Sequence, residues 1–272
     1  MGGLGKHSSP QQADDVRVSP RRRRGGGCLS TLLILVGMAL LAYAAFLWGS
    51  ARLRYWQQEK VNRELAEFTI VDDERGGPKV DWAGLKAIND EIIGWIEIPG
   101  TTINYPVYQA SDNEKYLRHS ATGEWTVGGQ LFADCEGTRP GMVDALTLVY
   151  GHHLLDGTMF EPISRMDDQA EFDKVDTVWY VTEDTAWECE PLFLYYTQPD
   201  DQKARIFNWE SYDAFHDYLT ERLGHAAAKR DDAAQIIGST RHVLCLITCN
   251  YYDGYGRTIL VCVPKSEAAD AR

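Results

Sequence analysis

A cysteine, a histidine and an arginine each stand at one end of an apolar run in this chain. Leu244-Cys245-Leu246-Ile247-Thr248-Cys249 reads as a buried strand that delivers Cys249 to the point where strand gives way to loop. Asn250, Asp253, Gly254 and Gly256 supply turn chemistry, so Arg257-Thr258-Ile259-Leu260-Val261 is expected to return as a neighbouring strand. Arg257 then lies near the thiol, and a nearby cation favours the thiolate, which is the nucleophilic form. Its guanidinium keeps its charge and presents several N–H donors in a fixed fork, which suits an oxyanion. Upstream, Leu148-Val149-Tyr150-Gly151-His152 repeats the design with a titratable ring at its end. Cys249 as nucleophile, His152 as acid/base and Arg257 as oxyanion support is the chemistry this set allows.

Each assignment has a plainer rival. Cys245 shares the strand and face of Cys249 but is ~13 Å from it, too far to bridge, and is expected in the core. Cys262 reads as a small buried hydrophobe. Cys135 and Cys189 pair only if the fold brings them together. His153 follows His152 directly, and consecutive strand residues point to opposite faces. His119, His216, His225 and His242 have no motif around them. No metal or cofactor is expected: histidines and cysteines lack ligand spacing, and there is no glycine-rich phosphate loop. The Asp112-Asn113-Glu114 run is not an EF-hand loop, because the remaining ligand positions are absent.

Strand texture begins at Ile93–Ile98 and continues through Ile103–Gln109, Gly129–Ala133, Ala145–Tyr150, Thr177–Thr182, Trp187–Thr197, Arg241–Cys249 and Arg257–Val263. Pro99-Gly100 marks the first two as a hairpin. Helices are expected at Asp81–Ala87, Met159–Met166, Gln169–Lys174 and Ser211–Leu223. Asp81 and Ser211 are placed as caps, and Tyr212, Phe215, Leu219 and Leu223 form a core stripe on the last helix. Many short strands with few helices point to a mainly β fold, a β-barrel decorated by helices.

Leu29–Trp48 is an almost uncharged apolar run of about 20 residues, enough to cross a ~30 Å hydrocarbon layer as a helix. Arg21–Arg24, with Lys6 and Arg17, precede it and predict a cytoplasmic N-terminus. The run is long for a cleavable signal peptide, so an uncleaved anchor is expected. Asp72–Pro78 breaks a second, amphipathic helix expected over Arg52–Ile70. Residues 1–27 hold six basic and two acidic side chains, so the acidic excess of the whole chain, 40 Asp and Glu against 27 Lys and Arg, falls on residues 28–272. That balance argues against a nucleic-acid partner.

Thr248-Cys249 followed by Arg257, with Tyr150-Gly151-His152 ahead, resembles the sortases, membrane-anchored transpeptidases of Gram-positive bacteria. Asn89-Asp90-Glu91-Ile92-Ile93-Gly94-Trp95-Ile96, Tyr105-Pro106-Val107, Asp112-Asn113-Glu114-Lys115-Tyr116-Leu117 and Asp156-Gly157-Thr158-Met159-Phe160 resemble the class B branch in order and spacing. The resemblance spans residues 81–264. It implies an eight-stranded sortase-type barrel with a helical N-terminal segment, and roles for Cys249, His152 and Arg257 as above, with Thr248 assisting substrate binding. It implies five regions: a cytoplasmic tail 1–27, a transmembrane signal-anchor 28–49, an extracytoplasmic helical linker 50–80, the catalytic barrel 81–264 and a C-terminal tail 265–272. The implied partners are a Pro-x-Thr-type sorting-signal peptide of secreted surface proteins, an amino group of a peptidoglycan precursor, and the membrane. Pilin polymerisation, and a tethered peptide-binding module without turnover, are the alternatives.

Overall fold

The computed structural model describes residues 27–71, 77–249 and 256–272. Arg21–Arg24, the break at 72–76 and the turn residues Asn250, Asp253 and Gly254 lie outside them. The chain divides into two compact units, Met1–Ser50 and Ala51–Arg272. Helix α1 (Gly27–Ala66) begins in the first and ends in the second. In the first unit the side chains of Leu29–Trp48 are almost all exposed, and the helix is long and apolar enough to cross a membrane by length and composition. The helix expected over Arg52–Ile70 stops at Ala66, and Thr69–Val71 is strand instead.

The second unit is built on eight strands: β3 (Ile92–Glu97), β4 (Asn104–Tyr108), β5 (Leu131–Ala133), β6 (Leu146–Tyr150), β7 (Val178–Val181), β8 (Ala186–Thr197), β10 (Val243–Cys249) and β11 (Arg257–Pro264). They hydrogen-bond in the order β11-β10-β6-β5-β4-β3-β7-β8, and β8 pairs back onto β11, closing a barrel. Every expected strand is present with ends shifted by a residue or two. The pairs β4–β5 and β6–β10 are parallel and the rest antiparallel. A short strand β9 (Ala226–Lys229) adds to β8, and β1 (Thr69–Val71) pairs with β2 (Pro78–Val80) in a separate ribbon.

Both faces of the strands are covered, which is why they read as continuous apolar runs rather than clean alternation. Ile96, Val107, Leu131, Val149, Leu246 and Leu260 fill the barrel interior. On the outside, Cys245, Ile247, Ile259 and Val261 pack against α6 (Tyr212–Leu223) and α7 (Ala233–Ile237). Leu65 of α1 and Leu85 of α2 (Trp82–Ile88) cover the outer face of β3 and β4. The expected caps form: Asp81 accepts from Gly84 N at 3.0 Å and Ser211 from Ala214 N at 3.2 Å. The α6 stripe is turned slightly from its expected direction. Phe215, Tyr218, Leu219 and Arg222 are buried, while Tyr212 at the first turn is exposed.

Three short helices fill the connections: α3 (Lys115–Arg118), α4 (Glu161–Ser164) and α5 (Gln169–Phe172). The expected tail 265–272 is largely helix α8 (Lys265–Ala271). Glu267 holds it down by accepting from the backbone of Arg241 and His242.

Candidate active site

Strand β10 lies between β11 and β6, and its register assembles the site. Cys249 is paired directly with Arg257 on β11, and Ile247 with Tyr150 on β6. Gly151 N donates to Ile247 O at 3.0 Å, so His152 leaves its strand beside the end of β10. Only glycine fits at 151, since a Cβ there would lie 2.5 Å from both Leu131 Cδ2 and Phe160 Cδ2.

Side-chain alternation explains why two cysteines on one strand differ. Cys245, Ile247 and Cys249 share the outer face. Helices cover Cys245, whose thiol burial pushes far above its ordinary value. At Cys249 the cover has ended, and the side chain is half-buried. Arg257 Nη1 donates to Cys249 Sγ at 3.4 Å and to Gly256 O at 3.4 Å. The cation is therefore aimed at the sulfur by the strand pairing itself.

His152 Nε2 lies 2.7 Å from Leu117 O. A carbonyl only accepts, so Nε2 carries the proton and Nδ1 is left to exchange one. Burial pushes the ring below the ordinary histidine range. The Leu117 carbonyl opposes this, while the Arg118 and Arg257 cations add to it. The adjacent His153 instead bridges to Met159 and lies outside the groove lining.

Cys249, His152 and Arg257 all line one groove of about 260 Å³, with Leu117, Tyr150 and Arg205 among its walls. Thr248 also contributes to the lining, but it is buried and its Oγ1 has no hydrogen-bond partner among the described residues. Alternation places Thr248 on the face opposite Cys249, across from Thr258.

One part of the groove was not foreseen. Arg205 grips the buried Asp134 with two bonds, Nε to Oδ2 at 2.7 Å and Nη2 to Oδ1 at 2.9 Å, and Tyr150 OH donates to Asp134 Oδ2 at 2.7 Å. Burial raises the Asp134 carboxyl, but bonds from Arg205, Tyr150 and the Glu136 backbone outweigh it and hold the group below its usual range. An aspartate just after the apolar Leu131-Phe132-Ala133 run is the only trace of this pair in the sequence.

The other motif residues build the scaffold. Tyr116 OH donates to Glu91 at 2.5 Å and accepts from Asn89 Nδ2 at 2.8 Å, fixing the segment that carries Leu117. Cys135, Cys189, Cys245, Cys249 and Cys262 are free thiols. His119 and His216 bond backbone carbonyls, His242 bonds Glu267 and His225 is exposed. Among the described residues no group of His, Cys, Asp or Glu could hold a metal ion.

No protein-family model matches the chain. Among curated proteins it is similar to sortase B of Listeria monocytogenes, 29% identical over 220 residues, covering 74% of this chain and 87% of that protein. Its fold is similar to sortase B of Bacillus anthracis, solved in complex with AAEK1, at a TM-score of 0.64 and 26% identity over 78% of this chain and 99% of that one. Staphylococcus aureus sortase B, solved as a substrate complex, gives a TM-score of 0.59 and 25% identity over 67% of this chain and 83% of that one. The S. aureus protein has also been solved complexed with Gly3, again at 25% identity and a TM-score of 0.59, over 67% of this chain and 84% of that one.

Proposed function

The chain is a class B-like member of the sortase family, a cysteine transpeptidase, and on that premise we propose that Cys249, His152 and Arg257 carry its reaction on secreted surface proteins. The observation that carries the assignment is the Arg257 Nη1 to Cys249 Sγ contact at 3.4 Å inside a groove that His152 also lines. His152 Nδ1 takes the Cys249 thiol proton, and the thiolate attacks the carbonyl of the threonine in a Pro-x-Thr-type sorting signal. Arg257 stabilises the oxyanion of the tetrahedral adduct. His152, its Nε2 proton engaged by Leu117 O, delivers a proton from Nδ1 to the leaving amine, and a thioacyl-enzyme remains. An amino group of a peptidoglycan cross-bridge precursor then attacks the thioester, gives its proton to His152, and releases Cys249.

Helix α1 serves as a membrane anchor with the N-terminus cytoplasmic and the barrel outside. Its apolar length and the preceding Arg21–Arg24 support that reading. The substrate and Gly3 complexes of the S. aureus relative support a groove that takes a peptide and then an amine. The test uses the full chain in detergent micelles with quenched peptides varied around Pro-x-Thr, with and without an amine, read by mass spectrometry. Amine-dependent ligation, lost in Cys249→Ala, is the expected result. Cleavage without ligation under any amine would make the chain a hydrolase. Saturable peptide binding without turnover would make it a tethered binding module.

A further inference from the structure

Two amides on α1 are buried where a helix would ordinarily present apolar side chains. Gln58 is fully buried and Asn62 is 8% exposed. Gln58 Oε1 accepts from Gly128 N at 3.0 Å, and its Nε2 donates to Gly129 O at 3.2 Å and Asn62 Oδ1 at 3.0 Å. Asn62 Nδ2 in turn reaches Met159 Sδ at 3.6 Å. Burying amides is unfavourable unless they are bonded, and these two are bonded to each other and to two separate loops.

Both loops lead to His152. Residues 126–130 hold α3 from one side: Thr126 N donates to Arg118 O at 2.8 Å, Gln130 N to Tyr116 O at 3.0 Å, and Arg118 Nη1 to Val127 O at 2.8 Å. Gly129 has φ +55°, and a Cβ there would lie 1.9 Å from Tyr116 O, so the two segments meet backbone to backbone. Between these contacts sits Leu117, whose carbonyl accepts the hydrogen bond from His152 Nε2. On the second route, Met159 has φ +58°, a left-handed conformation disfavoured for a residue with a side chain, which surrounding contacts must hold in place. The next residue, Phe160, donates its N–H to His152 O at 2.8 Å.

We propose that Gln58 and Asn62 are positioning residues for His152, one setting the carbonyl that fixes its ring and the other the residue that precedes its backbone anchor. The role rests on the assignment of His152 as acid/base. It makes the helix that carries the apolar N-terminal stretch part of the reaction's alignment.

The experiment uses the full chain in detergent micelles with 15N-labelled histidine, His152 being identified by His152→Gln. Imidazole 15N shifts report the tautomer, and the fastest peptide of the Pro-x-Thr panel gives kcat and KM. The wild-type chain is expected to hold the Nε2–H tautomer. In Gln58→Ala the tautomers mix and kcat falls about tenfold or more, with KM changed less than about twofold, as misalignment rather than lost binding requires. Asn62→Ala shifts both in the same direction by less, and decides the matter if Gln58→Ala does not fold. A folded variant with a lower melting temperature but unchanged tautomer or unchanged kcat overturns the proposal. Full turnover by His152→Gln would instead remove the acid/base assignment, a failure separate from that of the amide pair.

Discussion

Arg257 faces Cys249 directly across the β10–β11 ladder and donates from Nη1 to its sulfur at 3.4 Å. A guanidinium in this place can donate to the oxyanion formed when the sulfur attacks a carbonyl. Removing a donor of that kind typically costs ~10²–10³ in rate. Arg257→Ala is expected to lose kcat/KM by roughly this factor while the fold survives. Arg257→Lys should recover little, because an ammonium offers a point charge and no planar fork. A lysine variant with wild-type kinetics would show that charge alone suffices.

Burial, with Arg118 and Arg257 adding to it, keeps His152 below its ordinary value of 6.5 against the opposing Leu117 bond. An NMR titration of the ring should therefore reach half-protonation below pH 6.5. As pH falls from 6.5 toward the folded value, the unfolded chain takes up this proton first, so native stability declines across that window and levels off beneath it. Replacing His152 with glutamine should remove this contribution to the slope. A midpoint above 6.5 would contradict the desolvation account.

The Arg205–Asp134 pair should be worth far more to the fold than a surface ion pair. Asp134 is fully buried as a side chain, and removing Arg205 leaves its charge with no cation, bonded by the Tyr150 hydroxyl and the Glu136 backbone N–H. Arg205→Ala is expected to cost ~3–5 kcal/mol by urea unfolding. Glu183→Ala, which breaks the exposed contact with Lys86, should cost ~0–1 kcal/mol. Because the Asp134 carboxyl lies below its ordinary value of 3.8 in the fold, its contribution is complete above that pH and lost as pH falls through the folded value.

Gly151→Ala should damage both stability and turnover. The added Cβ meets Leu131 and Phe160, which are fully buried and have nowhere to move. Overpacking of this kind costs ~1–3 kcal/mol, and the residue that must shift is the neighbour of His152. Gly238→Ala, whose Cβ would sit 3.4 Å from Gln235 O in an ordinary helical conformation, serves as a tolerated control in the same thermal melts and kinetic assays.

Much of this arrangement is legible in the sequence because strand-forming residues and chemical residues coincide. The eight barrel strands are aliphatic or aromatic runs with turn residues between them, and Cys249, His152 and Arg257 mark strand ends. Strand β9 is illegible for the opposite reason. Ala226-Ala227-Ala228-Lys229 has little strand propensity, and it is extended because β7 covers only the first part of one edge of β8, leaving Phe193–Tyr195 for another partner. Helix α8 is polar and reads as a tail, yet Lys265 and Glu267 tie it to residues far back in the chain. Arg205 and Asp134 likewise find each other only in three dimensions, so no spacing announces them.

The two neighbours of β10 come from very different distances along the chain. Strand β11 comes almost directly after it, so the thiol and its guanidinium can be joined by local pairing. His152 arrives with β6, a parallel partner that can dock only after β7, β8 and α6 have been looped out between them. Such non-local closure is entropically costly and slow. On the proposed roles, the thiol and its cation share a local ladder, whereas the proton carrier joins them only through the pairing that closes over β7, β8 and α6.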